Sequence, residues 1–131
     1  MRILFCSNYF THHQVSLSDA LYELTNHNYY FVAHKEMDAE RKNLGWGNDL
    51  ARPYTYSLTE QEVQEQLRDL DVLIVGSFPE SQTKKYSKKA KLFFRYSERP
   101  LKAGNPVLKY IPRFLKWHYY NPPWRKTYML L

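Results

Sequence analysis

A doubly wound α/β fold, with a mostly parallel sheet and helices on both faces, is predicted by three observations. The chain opens on an apolar run, Ile3 to Cys6, that leads through a short polar turn into a helical pattern. A second apolar run, Val72 to Val75, follows a helical segment and ends at Gly76. Short apolar strands alternating with helical patterns read as β-α-β units, whose parallel strands are buried on both faces. The 131 residues fit one such three-layer α/β/α domain, 1–131, of Rossmann-like type.

The elements follow in order. After the first strand, Thr11 and Gln14 match a capping box, so a helix should begin near His12. Leu17, Ala20, Leu21 and Leu24 supply its apolar stripe, and Asn26 to Asn28 its stop. Tyr29 to Ala33 reads as the second strand, which completes a right-handed crossover unit. The polar segment 34–53, which contains Gly45, Trp46 and Gly47, reads as a loop with a short helix around Asp38 to Asn43. A brief strand is expected at Tyr54 to Tyr56. Thr59 and Glu62 form a second capping-box match, and Val63, Leu67 and Leu70 a narrow stripe, closed by Asp71 before the Val72 strand. A basic helix should then run from Pro79 and Glu80 to about Lys89, followed by a strand from Lys91 to Tyr96. Pro100, Gly104 and Pro106 mark an irregular stretch, 107–119 a helix bent at Pro112, and Thr127 onward a strand-like apolar run. A domain seldom stops inside such a run, so a second α/β domain is expected to follow Leu131.

Composition narrows the function classes. The chain is 44% hydrophobic with only four glycines, which excludes disordered and fibrous classes. No apolar run approaches the roughly 18 residues that a membrane helix requires. A single cysteine excludes an internal disulfide or a cysteine zinc cluster, and with no signal-like leader it points to a reducing, cytoplasmic setting. Residues 1–83 carry 6 Lys/Arg against 12 Asp/Glu and residues 84–131 carry 13 against 1, which together give the net +6. The basic, partner-facing side should therefore come from the last third.

His12 and His13 are the candidate catalytic residues. Both fall in the first turn of the first helix, where free N–H groups and the positive end of the dipole collect. A helix start favours neutral imidazole, which can accept a proton, and its N–H groups can hold a hydroxyl, carboxylate or phosphate. Solvated loop histidines are the plain alternative. Asn8, Thr11 and Gln14 share the turn, and Gly76 and Ser77 should lie on the same sheet edge, a plain strand-to-helix turn being their simpler reading and shaping the same crevice the sharper one. Glu98, the one acid after residue 83, stands beside Arg99; a local ion pair is its simpler reading, and orienting a histidine or binding a sugar hydroxyl the sharper one.

Other chemistries fail on spacing. A Cys-x5-Arg phosphatase cradle would need arginine where His12 stands, so Cys6 reads as a buried apolar residue. No Gly-x-Gly-x-x-Gly follows a strand and no phosphate-loop lysine motif exists. No cofactor or metal is implied. The lysines from Lys84 to Lys91 fit a solvated helix face, whereas the aromatic-basic cluster from Lys109 to Lys126 suits an anionic membrane or, less well, single-stranded nucleic acid.

The RILF strand, the turn ending in a histidine at a helix start, SDALYEL, LRDLDVLIVGS and YSERP together resemble the N-terminal domain of GT-B glycosyltransferases of the bacterial sugar-transferase type. The resemblance implies an acceptor-binding domain that works in polysaccharide biosynthesis with a nucleotide-sugar donor held by a second domain. A sugar or lipid-linked acceptor would lose its hydroxyl proton to His12 or His13. The chain departs from that pattern where SNYFT replaces a glycine-rich turn, and it lacks the donor-binding domain, so it should not be active alone. A non-enzymatic module that binds nucleic acid through the basic aromatic third is the alternative.

Overall fold

A run of residues with no polar member, Ile3–Ser7 excepting its last, forms the central strand β1, and all five residues are buried. The structure, a computed structural model, describes residues 1–46, 50–57, 65 and 67–96, and the backbone of 127–130. Around β1 stand β2 (Tyr29–Ala33), β3 (Thr55–Ser57), β4 (Val72–Val75), β5 (Leu92–Tyr96) and β6 (Thr127–Leu130). The six strands form one sheet in the order β3-β2-β1-β4-β5-β6, and every pairing is parallel. Three helices are described: α1 (His12–Leu24), α2 (Ala39–Asn43) and α3 (Glu80–Ser87).

Alternation along the strands sorts the core into two layers. On one face Ile3, Phe5, Tyr29, Phe31, Val72 and Ile74 pack with Phe10, Tyr54 and the α1 residues Val15, Leu21 and Tyr22. On the other, Leu4, Cys6, Val32, Leu73, Val75 and Phe93 pack with Leu67, Leu70 and Tyr86 of α3. Helices thus cover both faces, as the uninterrupted apolar strands require. Each fully buried Leu or Phe contributes about 1.5–3 kcal/mol of transfer free energy, so β1 is where mutation should hurt most.

The strand order reverses beside β1, since β2 lies on one side and β4 on the other. In such sheets ligands bind beyond the carboxyl ends of the strands at this reversal. Here those ends are Ser7 and Gly76, and they lie unusually close. A Cβ on Gly76 would stand 2.7 Å from Ser7 Oγ. Glycine is therefore required by proximity, and its N–H continues the ladder by donating to Cys6 O at 2.8 Å.

The expected helix α1 forms, but it is turned differently from the leucine stripe. Leu17 is 40% and Leu24 79% exposed, whereas Ser18 is fully buried. The inward face is Val15, Ser18, Leu21, Tyr22 and Thr25, so of the expected stripe only Leu21 packs on the core. One polar contact favours this orientation: Ser18 Oγ shares a hydrogen bond of 2.8 Å with the buried Tyr29 OH. A small residue at 18 also lets the helix sit close to the aromatic layer. The stop is at Asn26 and His27, with φ of 51° and 65°, the left-handed region that asparagine tolerates.

The other strands and helices expected within the described residues form with small shifts. The strand expected at Tyr54 to Tyr56 lies one residue later, because Tyr54 is a buried turn residue whose carbonyl accepts from Phe31 N at 2.8 Å. The basic helix ends at Ser87 rather than Lys89. The helical stripe beginning at Thr59 lies mostly outside the described residues, as do the irregular stretch around Gly104, the bent helix 107–119 and the aromatic-basic cluster.

Candidate functional site at the carboxyl edge of the sheet

Thr11 caps α1, and the cap engages both of its sequence partners. Gln14 Oε1 accepts from the Thr11 N–H at 2.7 Å and from its hydroxyl at 2.5 Å. Thr11 is buried and Gln14 half-buried, so these two residues shape the helix entry. Asn8 is likewise occupied by the turn. Its Oδ1 accepts from Tyr9 N at 2.9 Å and from Ser7 Oγ at 3.2 Å, and its carbonyl accepts from Lys35 N at 2.9 Å. These sequence-predicted binding residues therefore hold the loop that presents the histidines.

His12 and His13 are both exposed in the first turn of α1. Their ring centroids are 3.9 Å apart, and both rings meet Trp46 edge-on, at 5.9 and 6.0 Å. Trp46 arrives from the end of α2, a helix set by Asp38, whose Oδ1 accepts from Arg41 N at 2.9 Å. The Arg41 guanidinium lies over two rings, 5.0 Å from Tyr9 and 5.3 Å from Trp46. Asp38 pairs with the same arginine at 3.3 Å. A continuous wall of imidazole, indole, guanidinium and phenol thus borders the edge of the sheet. Each such cation–π contact adds about 0.5–1 kcal/mol when exposed.

Gly76 borders the same strand reversal, while Ser77 is exposed in the loop after β4. Glu98 and Arg99 lie outside the described residues. Cys6 is fully buried, and burial pushes its thiol well above the ordinary cysteine range, so it stays protonated and cannot act as a nucleophile. Among the described residues no group of three or more His, Cys, Asp or Glu side chains could hold a metal ion. No described helix is long and apolar enough to cross a membrane.

Beside the histidine wall lies a cavity of about 390 Å³, lined by Tyr9, Phe10, His34, Lys35, Met37 and Lys42 among others. Neither His12 nor His13 lines it; Tyr9 belongs to both features. The loop after β2 reaches it by extending the pairing with β1, through His34 N donating to Ser7 O at 2.8 Å. His34, Arg41 and Trp46 were not singled out by sequence. His34 ends a strand in the same way that Ser7 and Gly76 do, which is a legible signal. Trp46 and Arg41 come from a loop-borne short helix, and nothing in their spacing ties them to His12.

Comparison with known protein families, curated proteins and solved structures returns no match. The α/β class and the site therefore rest on the chain's own geometry.

Proposed function

We propose that this chain is the acceptor-side domain of a glycosyltransferase, in which His12 or His13 is the general base. The observation that carries the reading is the pair of exposed imidazoles in the first turn of α1, next to the strand reversal and backed by Trp46. A sugar ring presents C–H faces to aromatic walls and hydroxyls to polar groups, and the wall offers both. The acceptor hydroxyl oxygen would form the new bond to the anomeric carbon, the bond from that carbon to the nucleotide diphosphate would break, and the hydroxyl proton would pass to the imidazole. The leaving diphosphate would be held by a second, donor-binding domain.

Two histidines side by side cannot occupy one attack geometry, so their roles should separate. In the polypeptide that includes the donor domain, His12→Ala and His13→Ala should differ. One should lower kcat about 10²–10⁴-fold, the range for general-base removal, and the other little. Transfer from a nucleotide sugar is measured for each variant. Unchanged kcat in both would remove the base assignment.

A further inference from the structure

The cavity beside the histidine wall plays no part in the proton transfer just described. At about 390 Å³ it lies within the range of small-molecule sites, about 300–1,000 Å³. Its lining divides sharply. Phe10, Met37 and Leu50 are apolar, whereas His34, Lys35 and Lys42 are cationic or polar. Among the described residues of the lining, Glu36 is the one acid, set against two lysines. The neighbouring carboxylate, Asp38, is already committed to Arg41 and to the cap of α2. Lys35 and Lys42 are exposed at the rim, and neither ammonium has an ion-pair partner among the described residues. His34 Nδ1 is buried without a hydrogen-bond partner among the described residues. His34 lines the cavity, so a polar occupant there can satisfy this nitrogen.

We propose that this cavity is a subsite for an anionic group, a phosphate or a carboxylate, carried by the acceptor sugar. Lys35 and Lys42 supply charge-assisted hydrogen bonds, and His34 supplies a polar group deeper in the wall. Tyr9 belongs both to the cavity lining and to the Arg41–Trp46 wall, so the anion subsite adjoins the aromatic wall that backs the histidines. The sugar part of the ligand rests on the transferase reading; the anion rests on Lys35, Lys42 and His34.

The purified chain is titrated with glucose 6-phosphate, glucuronate and glucose, followed by amide shifts in ¹H–¹⁵N spectra. The phosphate or the uronate should bind at least about tenfold tighter than glucose, with shifts at His34, Lys35 and Lys42, and the tighter of the two names the anion. Lys35→Ala and Lys42→Ala should each weaken that binding about tenfold, while Lys88→Ala, just past the end of α3, leaves it unchanged. Equal binding of all three sugars, or full affinity in the Lys35→Ala/Lys42→Ala variant, would overturn the subsite. Lysine-dependent binding of the charged sugars with normal transfer in both histidine variants would uphold the subsite and remove only the base assignment.

Discussion

Gly76→Ala probes a close approach in the sheet, where β1 and β4 end side by side. The added Cβ would stand 2.7 Å from Ser7 Oγ and 3.3 Å from Ser7 Cβ, both inside the roughly 3.5 Å of van der Waals contact. Ser7 is only 3% exposed, so its hydroxyl has little room to yield. If it holds its place, overpacking costs about 1–3 kcal/mol. If it rotates away, it gives up its 3.2 Å bond to Asn8 Oδ1, about 0.5–1.5 kcal/mol, and leaves buried polar atoms unpaired. Both routes predict a loss of about 2 kcal/mol in ΔG of unfolding, read from the urea midpoint at unchanged slope. Ser7→Ala removes the clashing oxygen while keeping the 3.3 Å contact, so Ser7→Ala/Gly76→Ala should lose less than the two single variants together. A coupling of about 1 kcal/mol in that double-mutant cycle is expected. Additive losses, or a Gly76→Ala variant as stable as the parent, would refute the proximity reasoning. Asn8 also holds the loop that carries His12 and His13, so the same variant should shift their amide resonances.

Two further predictions concern the aromatic face. Ser18→Ala leaves the buried Tyr29 hydroxyl without its partner and should cost about 1–3 kcal/mol, while Ser18→Ala/Tyr29→Phe removes both hydroxyls and should recover most of it in the same urea assay. Asp19 accepts from Tyr54 OH at 2.5 Å and from Arg52 Nε at 3.1 Å, and these bonds, the tyrosine's first, hold its carboxyl below the usual range. A lowered folded-state pKa contributes stability that is present above the unfolded value, about 3.9, and fades as pH falls through the folded value. Asp19→Asn should therefore flatten the stability profile on the acid side of about pH 4, and an unchanged profile there would discount the pairing.

The chain alone was enough to determine the α/β class, because β1 and β4 are apolar on both sides and only a sheet covered on both faces can bury them. It also located the start of α1, since the Thr11–Gln14 cap is a local hydrogen-bonding pattern three residues apart. The same locality explains why Asp38 and its short helix were legible. The inward face of α1 was not, because leucine spacing outvotes a serine unless the tyrosine it bonds is already known to lie beneath it. Tertiary structure also decided that Gly76 faces Ser7, 69 residues earlier, and that Trp46 and Arg41 stand against the histidines. Those contacts depend on strand order and loop direction, which arise from the packing of distant segments and leave no period in the chain. His12 and His13 were visible as residues at a helix start; their surroundings, a cationic aromatic wall beside an apolar and basic cavity, came only with the fold.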